Sequence, residues 1–302
     1  MNPDSVPVGR FAPSPTGRMH LGNIFTAVLS WLSVRSRGGR WILRIEDLDP
    51  QRSRQEHALR IEDDLRWLGL DWDEGGTAQS GPHAPYSQSL SDKVYREALA
   101  RLRAKGTVYP CFCRKADLMA SNAPHQSDGR IVYPGTCRRY LHEPAPQTPA
   151  AQRLLVPDRD IFFTDATYGP QVSNLARDCG DFIVRRADGA WGYQLAVVVD
   201  DARMGVTEIV RGSDLLLSSA QQIYIYELLG LTPPEFRHVP LICNAEGRRL
   251  SKRDSSMSME ALRRDHTPAQ LLGIVAALAR QTDTPRRLSL TDLLEIYRPE
   301  LL

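Results

Sequence analysis

Leu21, Ile24, Phe25, Val28, Leu29 and Leu32 recur at steps of three and one, the stripe of an amphipathic helix that Gly38 and Gly39 stop. The preceding VPVGRF alternates like a short strand, and between strand and helix lies FAPSPTGRMHLGN, a turn dense in proline and glycine. Further on, WILRIE alternates Trp41, Leu43 and Ile45 against Ile42, Arg44 and Glu46, which predicts a second strand. Asp49-Pro50 then supplies an N-cap and a first-turn proline for a helix whose buried face is Ala58, Ile61, Leu65 and Leu68. A further helix is predicted from about Ser89 to Lys105 on Leu90, Val94, Ala98 and Leu102, with Gly106 as its stop.

Strand, helix, strand, helix with short joints is the pattern of a doubly wound α/β parallel sheet. From about 107 to 190 the rhythm breaks into cysteines, prolines and short β-like pieces, so this stretch reads as a small inserted domain. YQLAVVVDD at 193–201 is a nearly continuous apolar run, predicted as a strand buried on both faces, and GVTEIVRG follows it. Residues 219–229 are predicted helical and ended by Gly230. Leu271, Leu272, Val275 and Leu278 predict a helix near the end, and DLLEIY closes the chain. The division that follows is a catalytic domain in two halves, 1–106 and 191–243, around an insertion at 107–190. A short helical region at 244–302 completes it.

Composition adds limits. Of 302 residues, 42% are hydrophobic and 25% charged, the balance of a folded globular protein. With 38 Lys and Arg against 36 Asp and Glu, the net charge of +2 neither demands nor excludes a nucleic-acid partner. The start, MNPDSVPVGRF, lacks a signal-peptide pattern, and the longest late apolar run, LLGIVAALA, is too short to cross a bilayer. A cytoplasmic location without membrane contact is therefore expected. Three of the five cysteines fall within 27 residues, which in a reducing compartment points to metal more than to disulfides.

The chemistry concentrates in two stretches. In FAPSPTGRMHLGN a strand feeds a turn that opens a helix, where unpartnered backbone N–H groups receive phosphate or carboxylate, with Thr16, His20 and Asn23 close by. In RRLSKR at 248–253, cations flank a serine and suit a polyphosphate. Taken singly, each has an ordinary structural explanation: a stiffened turn and a solvated basic run.

Together they resemble the paired signatures of class I aminoacyl-tRNA synthetases, with HLGN at 20–23 and RLSKR at 249–253 in the places of the family's two motifs. RFAPSPTGRMHLGN, LRIEDLDP, YQLAVVVDD and EIVRGSDLL look like the catalytic domain of glutamyl-tRNA synthetases, a resemblance that covers most of residues 6–260. It implies that glutamate and Mg-ATP give glutamyl-adenylate and pyrophosphate, after which the glutamyl group passes to RNA. It places Pro13, Thr16, His20, Gly22, Asn23, Ser251 and Lys252 on ATP, with His20 and Lys252 as the catalytic pair. Asn23, Arg249 and Leu250 depart from the family's usual residues but keep polarity or charge at two of the three positions. Glutamate carries two carboxylates and one ammonium, and the matching positions offer Arg10, Arg211 and Glu46, with Ser14 and Tyr193 as hydrogen-bonding partners. The resemblance puts Arg10 and Tyr193 on the side-chain carboxylate, Arg211 on the α-carboxylate and Glu46 on the ammonium, and the two arginines can exchange places in this assignment.

Cys111, Cys113 and Cys137 provide most of a tetrahedral zinc shell. Chemical frequency favours His125 or His142 as the fourth ligand; the arrangement Cys-x-Cys followed by Tyr-x-x-x-Cys resembles the glutamyl-queuosine tRNA(Asp) synthetase branch and places Tyr133 there. Cys179 and Cys243 are left as core thiols. About 50 residues follow Arg253, too few for a helical anticodon-reading domain, which is also the pattern of that branch. The expectation is a monomer that attaches glutamate to the queuosine of tRNA(Asp). The alternatives are a shortened synthetase that charges the 3′ end of tRNA(Glu), and a synthetase-like module without catalysis.

Overall fold

The structure, a computed structural model, describes residues 6–114, 132–242 and 257–302. In chain order the first elements are β1 (Val8–Phe11), α1 (Leu21–Arg35), β2 (Arg40–Leu43), α2 (Gln55–Trp67), β3 (Glu74–Gly75) and α3 (Asp92–Ala104). The middle of the chain forms β4 (Val108–Cys111), β5 (Ala151–Leu154), β6 (Asp160–Asp165), β7 (Gly169–Asn174), the single turn α4 (Leu175–Asp178) and β8 (Phe182–Arg185). Then come α5 (Tyr193–Arg203), β9 (Glu208–Gly212), α6 (Leu216–Leu229), β10 (Glu235–Val239), α7 (Met259–Asp265), α8 (Pro268–Leu278) and α9 (Leu290–Ile296).

β1, β2 and β3 are parallel, as are β9, β10 and β6. The Thr207 N–H donates to the Val8 carbonyl at 2.9 Å, so β9 lies beside β1 and the lateral order is β3-β2-β1-β9-β10-β6. Pleating divides the side chains. Trp41, Leu43, Val210 and Val239 pack toward α1, α2, α8 and α9, while Val8, Ile42, Ile209 and Phe236 point to the other face with Tyr86 and Met204. A second large core gathers α3, α5 and α6 on that other side. α1 is apolar almost all round because it is enclosed. Its two buried serines are satisfied: Ser30 Oγ donates to the Arg10 carbonyl and accepts from Trp41, and Ser33 Oγ donates to Glu208.

Several predicted elements change. YQLAVVVDD is the helix α5, not a strand, because a fully buried helix and a fully buried strand both read as an unbroken apolar run. Asp49 does not cap α2; its carboxylate accepts from the Gln51 and Arg52 amides in a separate turn, and α2 starts at Gln55 after Arg54. Leu90 sits in a 3₁₀ turn and is exposed, so the buried face of α3 is Tyr95, Ala98, Leu99 and Leu102. Leu278 is likewise exposed at the end of α8.

The stretch between 107 and 190 holds an antiparallel sheet, β4-β5-β8, and also sends the β6–β7 hairpin to the edge of the parallel sheet, where Asp165 is paired with Phe236. Among the described residues no helix is long and apolar enough to cross a membrane.

Candidate active site

The carboxyl ends of β1, β2, β9 and β10 open on a cleft of about 430 Å³. Ligands bind at this end of an open parallel sheet. Arg10, Pro13, Ser14, Thr16, His20, Gly22, Asn23, Glu46, Tyr193 and Arg211 all line it, so every described glutamate and ATP position faces one space. The turn is stitched to β2 by the Glu46 N–H, which donates to the Pro13 carbonyl at 3.0 Å.

His20 is the N-cap of α1. Its Nδ1 accepts from the Gly22 N–H at 3.1 Å, and the Asn23 side-chain oxygen accepts from the His20 N–H at 3.0 Å, a reciprocal capping box. The backbone donor fixes Nδ1 as an acceptor, so a neutral ring carries its proton on Nε2. A Cβ on Gly22 would lie 3.1 Å from the imidazole, so glycine gives the ring its place. Asn23 thus serves the fold as well as the cleft.

Charged side chains form the cleft floor. Asp201, fully buried on α5, accepts from Arg10 Nε at 3.2 Å and from Arg44 Nη1 at 2.5 Å; Arg44 also donates to Glu46 Oε1 at 3.1 Å. Burial pushes the Glu46 carboxyl above its ordinary range, with Arg44 and Arg10 opposing it. Burial acts the same way on Asp201, but there Arg44 and Arg10 outweigh it and hold the carboxyl below its usual value. Arg211 is held by neutral acceptors: His238 at 3.0 Å, Gln222 at 2.8 Å, Ser219 at 2.8 Å and the Leu215 carbonyl at 3.4 Å. Its guanidinium reaches the cleft, among the described residues no carboxylate forms an ion pair with it, and burial lowers its pKa. Burial and nearby Glu46 raise the Tyr193 phenol, keeping it a donor. Of the charged groups that line the cleft, Arg10 and Arg211 stand with Glu46 and Asp214, while Arg44 and Asp201 pair behind them.

Sequence reading missed Asp201 and Arg44 as floor residues. The signal was present: a carboxylate inside an apolar run demands a buried cation. The Ser219, Gln222 and His238 contacts to Arg211 had no local signal.

Ser251 and Lys252 lie outside the described residues, as do Arg249 and Leu250. The segment that carries them begins after Ile242, which lines the cleft. Beyond it, Ser258 forms a bridge with His20, and the Met259 N–H donates to the Met19 carbonyl at 2.9 Å. A second groove of about 520 Å³ shares Ser14, Thr16, Glu46 and Tyr193 with the first and continues to Asp49, Arg52, Arg186 and Trp191.

Away from the cleft, the Sγ atoms of Cys111, Cys113 and Cys137 lie within 4.8 Å of one another. Tyr133 Oη is 3.5 Å from Cys111 Sγ and 3.9 Å from Cys113 Sγ, and Cys113 and Cys137 are 3.6 Å apart. Tetrahedral zinc with Zn–S near 2.3 Å needs S···S of about 3.8 Å and S···O of about 3.5 Å, so the three thiols could hold one ion and the Tyr133 separations are compatible with it. No histidine joins them among the described residues; His142 is exposed, and His125 lies outside those residues. Gly180, at φ +65°, brings its backbone so near in an isolated bridge that a Cβ would sit 2.3 Å from the Tyr133 carbonyl. Cys179 is half-buried and accepts from Gln221; Cys243 lies outside the described residues.

Residues 7–289 match the family model for the catalytic domain of class I tRNA synthetases of the E and Q type. The chain is 48% identical over 299 residues to a glutamyl-Q tRNA(Asp) synthetase from Symbiobacterium thermophilum, covering 96% of this chain and 91% of that protein. It is 47% identical to one from Nitratidesulfovibrio vulgaris, covering 90% of this chain and 86% of that one. The crystal structure of a glutamate tRNA ligase from Elizabethkingia meningosepticum, in complex with its amino acid, superposes with a TM-score of 0.85 at 28% identity. That match covers 99% of this chain and 66% of the ligase, so the chain spans about two thirds of that protein's length.

Proposed function

This chain belongs to the class I tRNA synthetases of the glutamate and glutamine type, and we propose that it activates L-glutamate with Mg-ATP and transfers the glutamyl group to queuosine in the anticodon of tRNA(Asp). The observation that carries the activation step is the cleft floor. Arg10 and Arg211 give the two cations and Glu46 the anion that the two carboxylates and one ammonium of glutamate call for. Arg10 with Tyr193 would hold the side-chain carboxylate, Arg211 the α-carboxylate, and Glu46 the ammonium, with Ser14 at the rim. The names of relatives that match over nearly their whole length support the acceptor.

In the first step an α-carboxylate oxygen attacks the α-phosphorus of ATP and pyrophosphate leaves, forming the adenylate. The protein's part is positioning and charge stabilisation rather than covalent chemistry. His20 Nε2–H, Thr16 and the α1 N-terminus around Gly22 and Asn23 would face the phosphates beside Pro13. Lys252, with Ser251, would neutralise the departing pyrophosphate from a segment whose two ends meet the cleft. In the second step a hydroxyl of the queuosine cyclopentene diol attacks the acyl carbonyl, AMP leaves and the hydroxyl proton is released. The groove past Glu46 and Tyr193 toward Trp191 gives the acceptor nucleotide a way in. Cys111, Cys113, Cys137 and Tyr133 would hold one structural zinc, which would tie the end of β4 to the segment that precedes β5.

In this scheme 1–106 and 191–243 are the catalytic halves, 107–190 the acceptor-side insertion and 244–302 the lysine segment with its helical tail. The expected state is a monomer, and ATP and tRNA are cytoplasmic substrates. The deciding experiment offers labelled glutamate to queuosine-containing tRNA(Asp), queuosine-free tRNA(Asp) and tRNA(Glu). Label on the first alone is expected. Label on tRNA(Glu) alone would replace this reading with 3′-end charging, and no ATP–pyrophosphate exchange with any tRNA would leave a binding role.

A further inference from the structure

Arg211 is aimed from behind the cleft. His238 stands opposite it in the β9–β10 register, is fully buried, and does not line the cleft. Its Nε2 accepts from Arg211 Nε at 3.0 Å, while its Nδ1 is 2.6 Å from Asp165 Oδ2. An arginine N–H can only donate, so Nε2 is the bare nitrogen and the ring proton is on Nδ1, given to Asp165. Burial keeps the ring neutral by lowering its pKa despite the Asp165 bond. Asp165 is itself fixed: Oδ1 accepts from the Thr167 N–H at 3.0 Å and the Tyr168 N–H at 2.9 Å, and the His238 N–H donates to Oδ2 at 3.1 Å. Phe236 stacks nearly parallel to the imidazole and also lies beneath the Arg211 guanidinium.

We propose that Asp165 and His238 are positioning residues for substrate recognition: Asp165 selects the Nδ1–H tautomer of His238, and the bare Nε2 then holds the Arg211 guanidinium at the angle that captures a substrate carboxylate. Asp165 comes from the β6–β7 hairpin of the inserted stretch, so that stretch helps to shape the amino-acid site. The inference rests on the reading of Arg211 as a carboxylate-holding residue.

Asp165→Asn tests it through the tautomer. The two backbone donors at Oδ1 require the amide oxygen there, which turns the amide NH₂ toward His238 Nδ1. The ring must then carry its proton on Nε2, against the Arg211 N–H, the same logic by which a wrong tautomer disables a triad. ATP–pyrophosphate exchange on the full chain is expected to show a KM for glutamate raised roughly tenfold or more, about 1.4 kcal/mol, with the KM for ATP within twofold. The same substitution in an Arg211→Lys background should add less than about threefold, because the two act as one unit. Equal effects of Asp165→Asn with and without Arg211→Lys would overturn the proposal, as would an unchanged KM for glutamate. If Arg211→Lys alone leaves that KM unchanged, the reading of Arg211 fails instead. Should Asp165→Asn not fold, His238→Gln, whose side-chain oxygen can stand in for Nε2, should raise the KM at least fivefold less than His238→Leu. Equal losses in those two variants would also overturn it.

Discussion

Asp201→Asn probes the charged floor most directly. Asp201 is the shared counter-ion of two cations: its carboxylate and Arg44 are both fully enclosed, and Arg10 is 5% exposed. Both guanidiniums donate to Oδ1, so asparagine can keep its amide oxygen on them but offers no charge to either. Removing one partner from a buried ion pair costs about 3–5 kcal/mol. An unfolding entropy of roughly 2.1 cal/mol/K per residue makes about 0.6 kcal/mol/K for a chain of this length, so Tm should fall by about 5–8 °C at pH 7. The pH dependence has a definite sign. The folded pKa of Asp201 is depressed, so its contribution is present above the unfolded value near 3.9 and is lost as pH falls through the folded one. The gap between variant and wild type should thus hold from pH 7 to about 5 and narrow below about 4. Glu56→Gln, which breaks the half-exposed Glu56–Arg60 pair on α2, serves as the control and should move Tm by less than about 1 °C. Differential scanning calorimetry on the three proteins settles the matter. A Tm for Asp201→Asn within about 1 °C of wild type at pH 7, or a loss that does not narrow in acid, would refute the account of the floor.

Glu46→Gln should raise the KM for glutamate roughly tenfold or more, the worth of a charge-assisted hydrogen bond, while the KM for ATP stays put; equal changes in both would remove Glu46 from the ammonium. Lys252→Ala should slow adenylate formation on the order of a hundredfold in pyrophosphate exchange, and unchanged kinetics would take it out of that role. Metal analysis after exhaustive dialysis should find one zinc per chain, and Cys137→Ser should lower that content. Correctly folded wild-type protein without zinc would count against the site.

The floor and its neighbours show what a sequence carries and what it does not. The glutamate positions Arg10, Glu46 and Arg211 were legible because the chemistry of the ligand dictates a charge set and three separate motifs supply it. The HLGN segment was legible because a helix N-terminus after a strand is a local feature. The strand–helix rhythm likewise pointed to a parallel sheet, since alternation is written along the chain. α5 was misread because Leu195–Val198 is buried on all sides, and burial on all sides erases the period that separates a helix from a strand. Asp201 was then lost with it: on a strand Asp200 and Asp201 would face opposite ways, whereas the helix buries both. Asp200 binds Tyr95 and Gln88, and Asp201 binds Arg10 and Arg44. The Asp165–His238–Arg211 line was invisible because its members are 27 and 73 residues apart and meet only through sheet pairing.

The placing of Arg10 beside Tyr193 also bears on accuracy. Glutamine has nearly the size of glutamate but a neutral side-chain amide, so its entry would put an NH₂ donor where the Arg10 guanidinium and the Tyr193 hydroxyl receive carboxylate oxygens. Sites built around such a buried polar requirement reject the analogue that lacks it by a factor on the order of 10⁴. Misactivation of glutamine would be suppressed at the first encounter, so fidelity toward this rival would need no second, hydrolytic chamber to remove wrong products.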